Sequence, residues 1–156
     1  CVRICRADTP EDGGSYGVAT RRFCYMGYGG GAEYVQALRD IVVVIMIEKE
    51  GTVNNLEEVL SVNGVDMIQW GGADYSMSIG KAGQRGSDEI KAAERRVFET
   101  ALKMGVSPRA EIGSAEQAKR YLDIGVKHFC IGTDISILYS WWKEHGDGLR
   151  KIVMDA

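Results

Sequence analysis

The sequence predicts an α/β fold in which parallel strands alternate with helices. Short apolar runs recur between residues 41 and 131, the segments between them carry helix start and stop signals, and the strand–helix unit occurs four times. Four such units make half of a (β/α)8 TIM barrel, for which about 250 residues is typical, and we expect this chain to supply about the C-terminal half. A small open doubly wound sheet is the alternative that the length of 156 residues allows.

Residues 1–40 precede the first unit and form a predicted loop-rich lead-in. Up to residue 31 the segment is polar and glycine-rich, which allows at most one short helix, and residues 32–39 are a further short helix candidate. We interpret the glycine run at residues 27–31 as a flexible loop or lid, because a phosphate cradle requires a preceding strand. The four units are expected at residues 41–145 and a helical tail at 146–156.

The first two predicted strands are short buried segments joined by a helix. Residues 41–47 are apolar and mostly β-branched, which is typical of a strand buried on both faces. A helix capped by Thr52 is predicted to run to about residue 60, and Asn63-Gly64 turns the chain into a second buried strand at residues 65–70.

The second half of the barrel segment has clear helix boundaries. Ser87 is expected to open a long helix that Gly105 closes, and residues 108–112 form the third strand. The Ser-Ala-Glu-Gln sequence at 114–117 is interpreted as a capping box that opens a helix ending at Gly125. Residues 127–131 form the fourth strand. The last helix is predicted over residues 135–145, with Gly146 and Gly148 separating it from a final short segment.

Composition excludes several classes of protein. The net charge of -3 comes without a basic stripe, so nucleic acid is not expected as a partner. No apolar run approaches the roughly 18 residues of a membrane span, so no membrane association is expected. The four cysteines (Cys1, Cys5, Cys24, Cys130) form no CxxC pair, which favours a cytoplasmic protein without zinc or disulfides. Because the sequence starts at Cys1 without Met or a leader, we expect a fragment or processed chain lacking a signal peptide.

Two carboxylates follow neighbouring predicted strands. Glu48 ends the first strand, and Asp74 follows the second after Gly71, Gly72 and Ala73. Parallel strands lie about 4.8 Å apart, so the two anions would repel unless a cation such as Mg²⁺ or Mn²⁺ compensated them. A helix-capping Glu48 and an Asp74 in a turn remain the alternative. The glycines either bring backbone N–H groups close to an anionic ligand or simply turn the chain.

Residues 45–80, IMIEKEGTVNNLEEVLSVNGVDMIQWGGADYSMSIG, resemble the metal-binding half of the HpcH/HpaI aldolase family of the phosphoenolpyruvate/pyruvate barrel superfamily. That family has Ile-Glu at the end of one strand, then Val-x-Gly-Val-Asp and Gly-Pro-Ala-Asp-Leu-Ser. The resemblance continues through AKRYLDIG at 118–125 and GTD at 132–134, so that it covers residues 41–139.

The resemblance implies a class II aldolase that cleaves 4-hydroxy-2-oxo acids to pyruvate and an aldehyde through a metal-stabilised enolate. Glu48 and Asp74 would hold the divalent cation, which is expected to be Mg²⁺ or Mn²⁺ and could also be Co²⁺. Gly72, Ala73 and Asp74 would bind the substrate, with the backbone amides of Ala73 and Asp74 on the pyruvate carboxylate. Met46 occupies the substrate-contacting position where the family commonly has Gln.

The resemblance also implies what this chain lacks. The Arg that polarises the keto group and the His near the proton transfer lie on the first half of the family's barrel, so no catalytic residue is identified here. A homo-oligomer is implied, with the C-terminal helix packed on a neighbouring subunit. Two alternatives stay open: a non-catalytic half-barrel or degenerate metal-binding relative, and an enzyme similar to citrate lyase or malyl-CoA lyase.

Three further positions are interpreted as structural. His128 and His145 are expected to be structural side chains, and Asp134 is expected to cap the last helix. Trp141 and Trp142 are adjacent and cannot both face one core, so one of them is expected to cover a partner subunit.

Overall fold

The computed structural model describes residues 1–18 and 31–156. Four strands form one parallel sheet: β1 Val44–Ile47, β2 Met67–Trp70, β3 Ser107–Ile112 and β4 His128–Ile131. The helices are α1 Val2–Cys5, α2 Ala32–Arg39, α3 Glu50–Asn54, α4 Leu56–Leu60, α5 Gly72–Ser78, α6 Asp88–Lys103, α7 Ala118–Leu122 and α8 Asp134–Met154, with a 3₁₀ turn at Ala115–Gln117.

Strands that follow one another in the sequence are neighbours in the sheet, in the order β1-β2-β3-β4. A doubly wound sheet reverses its strand order at a switch point, and the described strands contain no such reversal. The prediction of a parallel α/β sheet is therefore confirmed, and the strand order is consistent with part of a (β/α)8 barrel. The complete barrel stays a prediction.

The helices build the hydrophobic core on one face of the sheet. Successive residues of a strand point to opposite faces, so Ile47, Ile68 and Ala110 share a face and are fully buried. Leu56 of α4 and Phe98 of α6 belong to the same core and are equally buried. We call this side the helix face and the opposite side, which carries Met46, the inner face.

Helix α6 follows its predicted signals closely. The Ser87 hydroxyl accepts a hydrogen bond from the backbone N–H of Ile90, and Asp88 and Glu89 occupy the first turn. Gly105 follows the helix with a φ of 78°, a left-handed conformation that glycine adopts without strain.

The first predicted strand is shorter than expected, and the helix that follows it is interrupted. β1 begins at Val44 and is buried on the helix face alone, because Val44 and Met46 are 36% and 44% exposed on the inner face. The helix predicted from Thr52 to residue 60 is interrupted at Asn55, whose side-chain amide donates to the carbonyl of Gly51. A side chain bonded to its own helix backbone competes with the helical ladder, which accounts for the break.

The prediction of a capping box at residues 114–117 is wrong. These residues form a 3₁₀ turn in which the Ser114 side chain makes no capping hydrogen bond. The Gln117 side chain instead accepts from the backbone N–H of Gly113, which lies just before the turn. The helix ends at Leu122, before the predicted stop at Gly125, and Gly125 turns the chain with a φ of 96°.

Helix α8 continues to Met154, although residues 146 and 148 are glycines at which we expected a break. Asp147 lies between them and pairs with Lys143 at 3.1 Å and with Arg150 at 3.0 Å. Ion pairs at these helical spacings offset part of the cost of glycine in a helix. The capping position is Thr133, so Asp134 occupies the first turn and does not cap the helix as predicted.

The lead-in is attached to the sheet through Arg6. Its guanidinium donates to the carbonyls of Leu38, Arg39 and Ile41, at the end of α2 and just before β1. In residues 1–18 the structure contains one short helix, α1, which agrees with the prediction of at most one. The interpretation of the glycine run as a lid falls mostly on residues 27–30, which lie outside the described residues.

Within the two described ranges, the structure contains no helix that is long and apolar enough to cross a membrane.

Candidate functional site

The two predicted carboxylates emerge at the same edge of the sheet. β1 and β2 are directly paired, with Ile47 opposite Trp70, and the backbone N–H of Gly71 donates to the Ile47 carbonyl at 3.0 Å. Glu48 is the next residue after β1, and Asp74 lies in the first turn of α5, which follows β2. The structure thus places both side chains at the carboxyl ends of adjacent parallel strands.

Gly71 provides the space that the Glu48 side chain occupies. A Cβ atom at residue 71 would lie 2.6 Å from the Glu48 Cβ, 2.8 Å from its Oε2 and 3.2 Å from the Met46 Cε. Real Cβ atoms do not come as close to their neighbours as the two distances to Glu48, so a larger residue at 71 would displace Glu48. Met46 and Glu48 lie together against this glycine on the inner face.

Gly72 is required for a different reason. A Cβ atom at residue 72 would lie 2.7 Å from the indole Nε1 of Trp70, whose ring packs against Tyr75 with centroids 4.7 Å apart. Both glycines therefore allow close approach, but the approaching groups are side chains of this chain.

The start of α5 presents backbone N–H groups. No described side chain caps this helix, and its first helical hydrogen bond runs from the N–H of Tyr75 to the carbonyl of Gly71. The N–H groups of Ala73 and Asp74 precede that bond, and both residues are exposed. This arrangement suits an anionic group near the two carboxylates.

Asp74 has a cationic neighbour that the sequence did not reveal. The Lys49 ammonium lies 3.4 Å from the Asp74 Oδ1, and the two side chains are 56% and 53% exposed. An ion pair this exposed contributes little to stability and is readily exchanged. Lys49 therefore leaves Asp74 available to a competing cation.

The donor set at this edge fits a hard divalent cation. Two carboxylates supply the oxygen ligands that Mg²⁺ and Mn²⁺ prefer, and such ions keep several coordination positions for water or substrate. In the part of the chain that the structure describes, no cluster of three or more His, Cys, Asp or Glu side chains forms a fuller metal site. Glu48 and Asp74 would be this chain's ligands in a partly open site.

The inner face also carries a polar network that sequence reasoning missed. The Arg109 Nε donates to the Gln69 Oε1 at 2.6 Å, the Arg109 Nη2 donates to the same oxygen, and the Gln69 Nε2 donates to the Glu111 Oε1 at 2.7 Å. We call these three residues the inner-face network. The available signal was the alternation of polar residues at 69, 109 and 111 within otherwise apolar strands.

Neither histidine belongs to the site formed by Glu48 and Asp74. His128 is exposed on β4 and is paired in register with Arg109. His145 is on α8, where its ring stacks on Trp141 with centroids 4.1 Å apart and its Nδ1 lies 2.9 Å from the Trp141 carbonyl. Trp141 and Trp142 are 49% and 65% exposed.

The clearest pKa shifts in the interior belong to a cluster between α6 and α7, on the helix side. Burial raises the pKa of the Glu94 carboxyl, although the Tyr121 hydroxyl donates to it at 3.0 Å. Burial and the neighbouring Glu94 raise the pKa of Tyr121 to about 12. Arg120 donates to the Tyr121 oxygen at 2.8 Å. This cluster joins the two helices and has no contact with the carboxylate pair.

Comparison with known proteins matches the chain to one family. The family description "HpcH/HpaI aldolase/citrate lyase" matches residues 2–139, so the match extends through the lead-in as well as the segment from residue 41. Over 107 residues the chain is 33% identical to a 4-hydroxy-2-oxo-heptane-1,7-dioate aldolase from Escherichia coli, covering 68% of this chain and 41% of that protein. Over 119 residues it is 27% identical to a 5-keto-4-deoxy-D-glucarate aldolase from Klebsiella pneumoniae, covering 76% and 46%.

Solved structures give the same assignment. A HpcH/HpaI aldolase/citrate lyase family protein from Burkholderia cenocepacia superposes with a TM-score of 0.73 at 25% identity, covering 96% of this chain and 58% of that one. The fold of a HpcH/HpaI aldolase from Desulfitobacterium hafniense matches with a TM-score of 0.75 at 22% identity, covering 97% and 57%. The chain spans less than half the length of the two curated relatives named above.

Proposed function

The chain belongs to the HpcH/HpaI aldolase/citrate lyase family, and from that premise we propose that it is the metal-binding part of a class II aldolase. The reaction is the cleavage of a 4-hydroxy-2-oxo acid to pyruvate and an aldehyde. The relatives named above are aldolases, which supports a carbon–carbon lyase as the general activity. The cation, the substrate and the reaction are our proposal.

One observation carries the proposal: Glu48 and Asp74 follow directly paired strands, and Glu48 lies across a glycine that leaves room for it. Two carboxylates brought close together at one edge would repel each other, and a divalent cation bound between them would offset that repulsion.

The residues of this chain divide the work of binding. Glu48 and Asp74 hold a divalent cation, Mg²⁺ or Mn²⁺ with Co²⁺ as a further candidate, and Asp74 gives up its contact with Lys49. When bound, the cation supplies Lewis acidity that stabilises the negative charge developing as the carbon–carbon bond breaks. The N–H groups of Ala73 and Asp74, next to Gly72 at the start of α5, hold the carboxylate of the 2-oxo acid. Met46 lines the site beside Glu48 and contributes apolar contact.

Groups that move protons are expected outside this chain's described residues. An Arg on the keto oxygen and a His near the proton transfer belong to the other half of the proposed barrel. The full-length protein is therefore the form to assay.

The test is pyruvate release from a panel of 4-hydroxy-2-oxo acids by the full-length protein, with Mg²⁺, Mn²⁺ or Co²⁺ added to metal-free enzyme. We expect metal-dependent release that Glu48→Gln and Asp74→Asn each reduce by at least about a hundredfold, since each removes a charged ligand. Glu57→Gln is the matched control, because Glu57 is an exposed carboxylate on α4.

Three results would redirect the proposal. Metal binding that depends on Glu48 and Asp74 without pyruvate release would favour the non-catalytic relative. Turnover of CoA esters in place of free 2-oxo acids would favour an enzyme similar to citrate lyase or malyl-CoA lyase. Full activity of both variants would contradict the assignment of the two ligands.

We also propose that the protein is a homo-oligomer in which α8 packs on a neighbouring subunit. Ile135, Leu138 and Trp142 on this helix are 76%, 58% and 65% exposed, and large apolar surfaces of this kind are typical of interfaces. Light scattering of the full-length protein should give an oligomer that Leu138→Asp combined with Trp142→Asp dissociates. A monomeric parent protein would contradict the proposal.

A further inference from the structure

The inner-face network lies one row below the carboxylate pair. Met46 of β1 is in register with Gln69 of β2, which is in register with Arg109 of β3. Glu48 lies two residues beyond Met46 on the same face, and Gly71, two residues beyond Gln69, has no side chain. The space between Glu48 and the network is thus free of any side chain from β2.

The Gln69 amide is fixed in one orientation by its two charged neighbours. Its oxygen accepts two N–H groups from Arg109, and its nitrogen donates to the Glu111 carboxylate. A flipped amide would direct N–H groups toward a guanidinium and an oxygen toward a carboxylate, so the observed orientation is strongly preferred. Gln69 is only 4% exposed, so packing around its side chain also restricts its movement.

Arg109 is held in position but its charge is not neutralised. Its hydrogen-bond partner is the uncharged Gln69 oxygen, and within residues 1–18 and 31–156 no carboxylate forms an ion pair with it. The Arg109 Nη1 makes no hydrogen bond to any of these residues. A half-buried guanidinium without a counter-charge is unfavourable, and an anionic ligand would remove that cost.

We propose that Arg109 binds a carboxylate of the substrate and that Gln69 and Glu111 are its positioning residues. Guanidinium groups bind carboxylates through two parallel N–H bonds, and restraint by Gln69 reduces the entropy lost on binding. The proposal rests on the proposed function, because it places a 2-oxo acid at this edge of the sheet. The bound group is either the carboxylate next to the keto group, which Arg109 would share with the N–H groups of Ala73 and Asp74, or a second carboxylate at the far end of a dicarboxylic substrate.

The test is calorimetric titration of the full-length protein with Mg²⁺ present, using two acids of equal length. 2-Oxoglutarate carries a second carboxylate where 2-oxopentanoate carries a methyl group. Arg109→Gln should weaken binding by about tenfold to a hundredfold, the value of one hydrogen-bonded charge. A loss confined to 2-oxoglutarate assigns Arg109 to the distal carboxylate, and an equal loss for both acids assigns it to the carboxylate beside the keto group.

Two further variants separate binding from structure. Arg109→Lys keeps the charge and should lose less affinity than Arg109→Gln, whereas a purely structural role would give equal losses. Gln69→Glu places a carboxylate of nearly the same size against Arg109, neutralises it, and should weaken binding although Arg109 is retained. Arg95→Gln is the control, because Arg95 is exposed on α6 and pairs with Glu99.

Each remaining outcome decides the question. Unchanged affinity for both acids in Arg109→Gln, or a parent protein that binds neither acid, would overturn the inference. A parent that binds these acids through Arg109 but releases no pyruvate from any 4-hydroxy-2-oxo acid would support the inference and contradict the proposed reaction.

Discussion

The two faces of the sheet are built from the same strands but have opposite compositions. On the helix face, Ile47, Ile68 and Ala110 are fully buried under α4 and α6. On the inner face, the residues that alternate with them include Met46, Gln69 and Arg109, which are polar or partly exposed. Because successive side chains of a strand point to opposite faces, the same strand can place apolar residues in the core and polar residues on the inner face. The helix face should therefore determine stability, and the inner face should determine binding.

The largest effect that this comparison predicts is a loss of stability from the helix face. Phe98→Ala removes a fully buried aromatic ring and should lower the free energy of unfolding by about 3–5 kcal/mol. Activity per folded molecule should not change, because Phe98 lies in the core on the helix face and not on the inner face, which carries Met46, Gln69 and Arg109. Urea unfolding of the full-length protein measures the first, and pyruvate release under native conditions measures the second.

Leu122→Ala is the control for this prediction, since Leu122 is 53% exposed on α7. It should cost well under about 1 kcal/mol. Phe98→Ala with unchanged stability, or with reduced activity per folded molecule, would break the division between the faces.

Gly71 lies at the edge of the sheet that carries Glu48 and Asp74. Its substitution should affect both stability and metal binding. In Gly71→Ala the new Cβ would collide with the Glu48 Cβ, an atom too close to the backbone to move freely. We expect a loss of about 1–3 kcal/mol in unfolding free energy together with weaker Mn²⁺ binding. Mn²⁺ titration followed by electron paramagnetic resonance, alongside urea unfolding, checks both.

Gly51→Ala is the matched substitution, because a Cβ at residue 51 in α3 meets no atom within 4 Å. It should leave Mn²⁺ binding unchanged and be neutral or stabilising by up to about 1 kcal/mol. If Gly71→Ala behaved like this control, the close contact with Glu48 would have no functional meaning.

The helix face was largely predictable from the sequence, and the reason is physical. Ile68 and Trp70 belong to an apolar run between turn residues, and Ser87 and Gly105 satisfy local requirements of a helix that need no tertiary information. The parallel arrangement followed from the order of elements, so the shared edge for Glu48 and Asp74 followed as well.

The inner face was less predictable because it depends on contacts between strands. Gln69 and Arg109 are separated by 40 positions, and their hydrogen bonds follow from a register that no local pattern specifies. The contact of Lys49 with Asp74 depends likewise on side-chain placement. Helix α8 shows the opposite error, since Gly146 and Gly148 locally predict a break, but the ion pairs of Asp147 span them.

The smallest predicted effect is on stability and comes from Glu94, an ionisable group on the helix side. Its pH dependence tests whether charge also matters on that side of the sheet. Burial raises the pKa of Glu94, so the folded state binds this proton more tightly than the unfolded state. Below the ordinary pKa of 4.5, Glu94 is protonated in both states, and its burial carries no cost of ionisation. As the pH rises through the raised pKa of the folded state, the buried carboxyl must ionise, and the protein loses stability.

Glu94→Gln removes the ionisation and keeps an oxygen that can accept from Tyr121. At pH 7 it should be neutral or stabilising by up to about 1 kcal/mol, and the fall in stability with rising pH should be smaller than in the parent protein. Urea unfolding at pH 4 and pH 7 measures this difference. A destabilised Glu94→Gln at pH 7 would mean that the ionised carboxylate, through Tyr121 and Arg120, strengthens the packing of α6 on α7 by more than its burial costs. The helix side would then depend on a charge network, as the inner face does.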